Sequence, residues 1–291
     1  MVALVGQSVV DRVKLPGCPW VERLGGAPFF AATALRMAGC SAVILTRGGT
    51  PALRAPLHGP GFRVIEGPAT ATCVSEMVLS PDGACADSFV AFGDPFTPAD
   101  VEGWMAPALA EAHAIVCGAQ WRDDFPAATL AALARTGRPI YLDGQGSLRL
   151  PELGPLQLAG PLPRSALRHV AVLKLAEEEA DAALGGIDRA AARTLGVPVV
   201  VVTLGARGAI LLLDGSTTEV PVVPVPDLAD AVGAGDAFLA LMAAAGVEGA
   251  TPLEAARFAS DATAALLGTR LASAPSGVPS IAEVGGARIS S

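Results

Sequence analysis

A short glycine-containing sequence precedes the most apolar stretch of the chain. Gly233, Ala234 and Gly235 are followed by Asp236, and residues 237–247 are then almost entirely apolar. The first amides of a helix have no intrahelical partner, and together with the helix dipole they attract anions. Glycine leaves the backbone open to close approach. The pattern therefore predicts an anion hole at the start of a long helix, with one carboxylate beside it.

A carboxylate beside an anion site needs a reason, because it would repel a bound phosphate. Asp236 could accept the proton of a substrate hydroxyl while the amides hold the charge that develops on a moving phosphoryl group. The same residues also suit a plain helix start, where an aspartate caps the first turn. This stretch by itself leaves both interpretations open.

The elements that must position this stretch alternate between strands and helices. Short apolar runs typical of buried strands cover 2–6, 42–46, 114–118, 139–143, 170–175 and 198–205. Helical patterns lie between most of them, for example at 27–39, 125–136 and 177–184. Strands that are apolar on both faces and separated by helices indicate an α/β fold, with a mostly parallel central sheet covered by helices on both faces.

Two segments break this alternation. Residues 9–18 and 70–93 alternate apolar and polar side chains, and Pro-Asp-Gly at 81–83 is a turn signal that closes a hairpin. Half-exposed antiparallel strands of this kind fit a small sheet that stands off the main core. We therefore expect one α/β domain over 1–291, with a small β lid formed by insertions at about 9–18 and 70–93.

Bulk properties exclude several classes of protein. The formal net charge of −8 argues against binding to nucleic-acid backbones. The five cysteines include no CxxC pair and the three histidines have no metal-ligand spacing, so neither a disulfide framework nor a zinc site is expected. The apolar stretch at 237–247 is too short to span a bilayer. We expect a soluble cytoplasmic protein without nucleic-acid or membrane partners.

Six motifs together resemble those of the ribokinase/PfkB family of carbohydrate kinases. The stretch DAVGAGD at 230–236 is similar to the DTxGAGD signature of that family. The other similar pieces are Asp11 in VVDRV, GGAPFFAATALRMAG at 25–39, DGQGSLR at 143–149, LKLAEEEAD at 173–181 and VTLGARGAILL at 202–212. They occur in the family's order over roughly residues 2–284, and their combination is specific although no single piece is.

The resemblance implies a ribokinase-like fold and ATP-dependent transfer of a phosphoryl group to a hydroxyl of a small sugar or sugar-like polyol. It implies Asp236 as the general base, with Gly233, Ala234 and Gly235 forming the anion hole. The implied nucleotide-binding residues are Thr203, Gly205, Arg207, Gly208, Lys174 and Ser260. The implied substrate-binding residues are Asp11, Gly25, Gly26 and Phe30, together with Asp236.

The resemblance also implies Mg²⁺ bridging the ATP phosphates, with Glu179 in its outer shell. A monovalent cation bound near Asp230 is a further implied feature. The lid would cover the substrate and exclude water. Family relatives often dimerise through the lid, so a homodimer is expected.

Three positions depart from the family pattern. Phe29 and Phe30 stand where an asparagine usually follows the glycine pair, so the aromatic rings either stack on a substrate ring or belong to the core. Ala176 replaces the asparagine of the N-x-x-E motif, and Ala231 replaces the threonine of DTxGAGD.

These departures keep other functions open. A catalytically silent binding or regulatory protein on the same fold is one alternative, and a nucleoside or inositol kinase in place of a simple sugar kinase is another. A dinucleotide-binding oxidoreductase is disfavoured, because no G-x-G-x-x-G motif follows the first strand.

Overall fold

Two β-sheets, and helices on both faces of the larger one, make up the protein. The computed structural model describes residues 1–14, 16–80, 85–225 and 231–273 of the 291-residue chain. The predicted turn at 81–83 and the predicted cation-binding residue Asp230 lie outside the described residues.

The strands are β1 (Val2–Gln7), β2 (Val9–Lys14), β3 (Trp20–Gly25), β4 (Ala42–Arg47), β5 (Phe62–Glu66), β6 (Val74–Leu79), β7 (Cys85–Ala91), β8 (Ala114–Gly118), β9 (Ile140–Asp143), β10 (Gly154–Pro155), β11 (Val172–Ala176), β12 (Val199–Thr203), β13 (Ala209–Leu213) and β14 (Ser216–Val220). The α-helices are α1 (Ala27–Met37), α2 (Pro51–Arg54), α3 (Pro98–Glu102), α4 (Ala106–Glu111), α5 (Ala127–Ala134), α6 (Gly144–Leu148), α7 (Arg164–Leu167), α8 (Glu177–Leu184), α9 (Arg189–Arg193), α10 (Ala234–Val247) and α11 (Pro252–Ser273). The strands and helices that the apolar patterns predicted are present, with ends shifted by at most two residues.

The larger sheet has the strand order β14-β13-β12-β11-β9-β8-β1-β4-β5. Strands β5 to β12 in this order are all parallel, whereas β13 and β14 are antiparallel and close one edge. The prediction of a mostly parallel sheet covered on both faces is confirmed. Parallel strands place their carboxyl ends at one edge, which is where ligands bind in open α/β sheets.

Each buried strand contributes alternate residues to two separate cores. Leu4 and Ile44 pack on one face with α1, α10 and α11. Val5 and Leu45 pack on the other face with α3, α5 and α8. Helix α10 is buried almost all round from Ala237 to Ala244, which explains why its sequence carries no polar face. This packing fixes the start of α10 relative to the carboxyl ends of the strands.

The second sheet has five strands in the order β10-β7-β6-β2-β3. Strand β2 alternates buried and half-buried residues, and Asp11 is on its buried side. Strands β2 and β6 are parallel, whereas the expectation was antiparallel pairing, because a segment of the large sheet separates them in the chain. Strands β3 and β10 join this sheet in addition to the two predicted insertions.

Two of the chain segments that connect the small sheet to the large one are hydrogen-bonded to each other. The Asp94 carboxylate, on the outgoing segment, accepts hydrogen bonds from the Thr70 hydroxyl at 2.7 Å and the Ala71 amide at 3.2 Å on the incoming one. The buried Gln7 amide donates to the Asp94 carbonyl and to Asp124, both at 2.8 Å. These bonds tie the small sheet to the carboxyl end of β1.

Among the described residues, no helix combines the length and apolar character that crossing a bilayer requires.

Candidate active site

The start of α10 forms the centre of the site. Gly233 precedes the helix with φ of 76°, a left-handed conformation that favours glycine. A Cβ there would also collide with the ring of Phe30, which is buried in the core beside it. Gly235 and Asp236 follow in the first turn, whose amides have no acceptors within the helix. The Ala234 amide donates to the Ala231 carbonyl at 3.0 Å. The anion hole at residues 233–236 stays a prediction.

Asp236 is half-buried at the carboxyl edge of the large sheet. Its carboxylate lies over Gly118 at the end of β8, and it shares a small void with Asp143 at the end of β9. Burial raises the pKa of Asp236 to about 7, and the neighbouring Asp143 carboxylate adds to this, while Lys174 and Arg149 oppose it. A carboxylate with a pKa near neutrality is suited to accept a proton.

A buried ion pair lies directly beneath the predicted anion hole. The Lys174 ammonium is 3.0 Å from both carboxylate oxygens of Asp143, and both side chains are almost completely buried. A Cβ added to Gly235 would stand 2.7 Å from the Lys174 Nζ, so the ammonium lies against the backbone of the hole. Burial opposes the charged form, but the carboxylates of Asp143, Glu179 and Asp236 outweigh it and raise the pKa of Lys174.

Arg149 connects this cluster to the small sheet. It follows α6, whose start is capped by the Asp143 carboxylate accepting from the Gln145 amide at 3.0 Å. The Arg149 guanidinium is 3.7 Å from the Asp87 carboxylate on β7. Its charge lowers the pKa of both Asp236 and Asp11. Arg149 therefore lies within electrostatic range both of Asp236 at the large sheet and of Asp11 on the small sheet.

Asp11 is buried on the inner side of the small sheet. It accepts a hydrogen bond from the Ser75 hydroxyl at 2.7 Å and stands opposite Arg23 in the pairing of β2 with β3. Burial raises its pKa to about 6, against the opposing charge of Arg23. Gly25 leaves room for this carboxylate, since a Cβ there would overlap it. The structure thus brings the predicted residues Asp11 and Gly25 into contact.

Gly26 joins the small sheet to α1. Its φ is 90°, and a Cβ would collide with the Gln7 carbonyl at the end of β1. Phe30, one turn along α1, is 5 % exposed and packs in the core against Gly233. In this geometry the ring packs against the backbone of the predicted anion hole.

A cavity of about 400 Å³ opens beside the start of α10. It is lined by Thr203, Gly205, Ala206, Gly208, Val222, Val223, Pro224, Val225, Ala231, Ala234, Gly235, Phe238, Ser260, Thr263, Ala264 and Leu267. Four residues predicted to bind nucleotide, Thr203, Gly205, Gly208 and Ser260, converge on it. The walls are largely apolar, and the cavity reaches the anion hole at Ala234 and Gly235.

Two other predicted nucleotide-binding residues do not line this cavity. Arg207 is exposed and forms an ion pair with Glu177 at the start of α8. Lys174 is held in the buried pair with Asp143. Ser260 lines the cavity while its hydroxyl donates to the Pro221 carbonyl at 2.8 Å.

Comparison with known proteins identifies the family to which the chain belongs. The sequence model of the pfkB family carbohydrate kinases matches residues 123–279, which is more than half of the chain. The chain belongs to the pfkB family of carbohydrate kinases. The resemblance that its motifs suggested is therefore confirmed, as is the assignment to a family of phosphotransferases.

One curated relative of this pfkB-family chain is a ribokinase of Arabidopsis thaliana. It is 31% identical over 141 residues, which cover 45% of this chain and 34% of the ribokinase. The aligned part thus spans about a third of that relative's length.

Solved structures match over nearly the whole chain. A pyrophosphate-dependent kinase of the ribokinase family, complexed with a pyrophosphate analogue and myo-inositol, has a TM-score of 0.75 at 21% identity, covering 91% of this chain and 94% of that one. Arabidopsis thaliana ribokinase complexed with ribose and ATP has a TM-score of 0.64 at 21% identity, covering 89% of each chain. Adenosine kinase from Sinorhizobium meliloti has a TM-score of 0.64 at 15% identity, covering 92% and 93%. At these identities the likeness confirms the ribokinase-like fold.

Glu179, the predicted metal-associated residue of this pfkB-family chain, is buried at the start of α8. Its carboxylate accepts a hydrogen bond from the Ala176 amide at 2.7 Å and so caps the helix. Burial raises its pKa, and Lys174 opposes this. Within the described ranges, no group of three or more His, Cys, Asp or Glu side chains could hold a metal. The Glu179 carboxylate is engaged by the start of its own helix, and its outer-shell role toward Mg²⁺ stays a prediction.

The site of this family member also contains residues to which sequence reasoning assigned no role. They are Arg23, Ser75, Asp87, Asp143 and Arg149. A signal existed for Asp143 and Arg149, since DGQGSLR at 143–149 resembles a family motif. The other three are ordinary residues of alternating strands, and only the pairing of β2, β3, β6 and β7 brings them to the inner side of the small sheet.

Proposed function

We propose that the protein transfers the γ-phosphoryl group of ATP to a hydroxyl of a small neutral polyol. The observation that carries this proposal is the position of Asp236 in the first turn of α10, one residue after the wall of the donor cavity. A base next to an anion hole, at the end of a cavity large enough for a nucleotide base, has the arrangement that phosphoryl transfer to a hydroxyl requires.

In the proposed reaction Asp236 accepts the proton of the attacking hydroxyl. The amides of Gly233, Gly235 and Asp236 stabilise the charge on the transferring phosphoryl group, whereas the Ala234 amide donates to the Ala231 carbonyl. Asp11, Gly25 and Gly26 hold the acceptor, and Phe30 supports the hole from behind. The small sheet acts as a lid that excludes water and so limits hydrolysis of ATP.

Mg²⁺ would enter with ATP and offset the charge of the phosphates. It would take its ligands from phosphate oxygens and water, with Glu179 in the outer shell. The chain's own contribution is the fixed arrangement of Asp236 and the anion hole around the point of transfer.

The donor cavity favours ATP over pyrophosphate. Pyrophosphate has no apolar part, whereas Val222, Val223, Phe238 and Leu267 form walls that suit a flat base. Pyrophosphate remains the second candidate donor because a solved relative with the same fold is pyrophosphate-dependent. Rates with equal concentrations of the two donors separate these possibilities.

Filling the cavity tests the assignment of the donor site. In Ala264→Phe the new ring would occupy the cavity beside Thr263, and we expect the KM for ATP to rise by about tenfold or more with little change in kcat. The matched control is Ala265→Phe, because Ala265 is the exposed neighbour on the same helix. Equal KM values for the two variants would show that the donor binds elsewhere.

The acceptor site carries charges of both signs. Asp11, Asp87 and Asp236 contribute carboxylates, and Arg23 and Arg149 contribute guanidinium groups. Such a set offers both donors and acceptors to neighbouring hydroxyls without a net positive charge that would select an anionic sugar. An inositol, a pentose and a nucleoside all satisfy this requirement, so the acceptor class is proposed as polyol.

A panel assay tests the proposed function. Purified protein with Mg²⁺ and either ATP or pyrophosphate is incubated with inositols, sugars and nucleosides, and phosphorylated product is detected by mass spectrometry. Product from one acceptor class supports the proposal and names the substrate. Ligand binding without any product across the panel would favour the silent binding protein that Ala176 and Ala231 suggest.

The rate of transfer should depend on the ionisation of Asp236. Its pKa is raised to about 7, so the base is protonated and inactive at lower pH. We expect kcat/KM for the acceptor to rise between pH 6 and 8 with a midpoint near 7, a range centred on that value. A pH–rate profile at acceptor concentrations well below KM measures this, and a flat profile over that range would contradict the assignment of Asp236 as base.

Dimerisation through the lid and location in the cytoplasm remain proposals. The small sheet exposes Trp20, Val78 and Val90, which a second copy of the chain would cover. Light scattering on the wild-type protein and on Trp20→Glu tests the dimer.

A further inference from the structure

The buried pair of Lys174 and Asp143 has no role in the function proposed so far. The Lys174 side chain is 4 % exposed and that of Asp143 is 3 % exposed. A buried ion pair of this kind costs desolvation, and apolar residues of similar volume often stabilise a fold equally well. Packing alone therefore gives no reason for two opposite charges at the end of β9 and β11.

Their position relative to the anion hole supplies a reason. The Lys174 ammonium lies against Gly235, where a Cβ would be 2.7 Å from Nζ. Both Asp143 oxygens hold this ammonium at 3.0 Å, so it has a fixed location. The hole thus has backbone amides on one side and a buried positive charge behind it.

Asp236 faces charged groups from every element packed around it. Asp143 approaches from β9, Lys174 from β11, Arg149 from the end of α6 and Glu179 from α8. Two of these neighbours are carboxylates, which disfavour an ionised Asp236, and two are cations, which favour it. Lys174 is the buried cation among these four.

We infer that Lys174 and Asp143 are positioning residues: Asp143 fixes the Lys174 ammonium behind Gly235, where its charge acts on both the base and the anion hole. This inference rests on the proposed kinase function. In this inference Lys174 acts on Asp236 and on the anion hole, and it does not contact the nucleotide directly. Lys174 is accordingly not among the residues that line the donor cavity.

The physical effect follows from the low exposure of the site. Charges interact more strongly where water is excluded, and a preorganised cation needs no rearrangement as negative charge develops. Asp143 also caps α6, which leads to Arg149, so the same carboxylate places both cations of the cluster. The Lys174–Asp143 pair therefore connects β9 and β11 to the anion hole. Through α6 and Arg149, it also connects them to Asp87 on the small sheet.

Lys174→Met tests the inference, because methionine keeps the unbranched shape of the side chain, one atom shorter, and removes its charge. We expect the titration midpoint of Asp236, measured by ¹³C NMR of its carboxyl carbon, to move up by at least about one pH unit. We expect kcat at pH 7 to fall by about a hundredfold, with partial recovery at higher pH, and the KM for ATP to change little. The NMR titration needs no turnover, so it stays informative if the kinase proposal fails.

A second variant separates the effect of the lost charge from an effect of misfolding. Asp143→Asn combined with Lys174→Met removes both charges, so no carboxylate remains buried without its partner. We expect this double variant to fold and to return the Asp236 midpoint toward the wild-type value, while kcat stays at least about tenfold low because the hole has lost its cation. Arg63→Met, which breaks the exposed pair with Glu111, controls for loss of a positive charge elsewhere.

Three results would overturn the inference. One is an unchanged Asp236 midpoint in folded Lys174→Met. Another is a raised KM for ATP with unchanged kcat, which would make Lys174 a nucleotide contact. The third is full activity in the double variant, which would leave the pair a packing role only.

Discussion

Asp236→Asn should reduce kcat by about a hundredfold or more while leaving donor binding largely intact. Asparagine keeps the shape of the side chain and cannot accept the proton of the acceptor hydroxyl. The anion hole is built from backbone, so it stays in place. The measurement is kcat and KM for both substrates with the acceptor that the panel identifies.

This loss should not come from instability. Because the pKa of Asp236 is about 7 in the folded protein against 3.8 ordinarily, the folded state binds a proton that the unfolded state releases. Ionisation of Asp236 therefore lowers the free energy of unfolding as the pH rises from 3.8 to about 7. The neutral asparagine removes this destabilisation. We expect the melting temperature of Asp236→Asn at pH 8 to equal or exceed that of the wild type.

Glu248→Gln is the matched control for this substitution. Glu248 is exposed and caps the opposite end of the same helix, α10. It should keep wild-type kcat. Similar kcat values for Asp236→Asn and Glu248→Gln would remove Asp236 from the mechanism and favour a ligand-binding protein on this fold.

The second large effect is a loss of both stability and catalytic rate in Gly233→Ala. The alanine would have to adopt φ of 76° and its methyl group would collide with the ring of Phe30. The conformational cost is about 1–2 kcal/mol, and overpacking adds about 1–3 kcal/mol. The chain can relieve the collision by moving the loop, which displaces the amides of the hole. A displacement of about 1 Å can cost about a hundredfold in rate.

Two variants separate the causes in Gly233→Ala. Gly249→Ala, at the other end of α10, has φ of 91° and no atom within 4 Å of the added Cβ, so it reports the conformational cost alone. Phe30→Leu combined with Gly233→Ala makes room for the methyl group. We expect chemical denaturation to show the largest loss of stability for Gly233→Ala alone. Equal losses in Gly233→Ala and Gly249→Ala would show that Phe30 does not buttress the loop.

The contact between Phe30 and Gly233 also concerns the role of the aromatic residues that replace the usual asparagine. Sequence reasoning left Phe30 between a substrate-stacking role and a core role. In the structure the ring is buried and supports Gly233. Its effect on catalysis would then pass through the anion hole, and variants at Phe30 should change kcat more than the KM of the acceptor.

The sequence by itself determined the elements of the large sheet and predicted the catalytic motif. Apolar runs and helical patterns predicted the strands and helices of the large sheet, because burial on both faces leaves a strong local signal. Glycine spacing before an apolar helix predicted the anion hole and Asp236, since helix starts bind anions through local backbone geometry. The alternating segments predicted a small sheet for the same local reason.

Only the tertiary structure decided which distant residues meet. The pair of Lys174 and Asp143 depends on β9 and β11 being neighbours, and the approach of Arg149 to Asp87 depends on the docking of the small sheet. Arg207 and Lys174 lie beside residues that line the donor cavity, yet the fold turns one outward and buries the other. Side-chain direction and strand order are set by packing over the whole chain, so no local pattern encodes them.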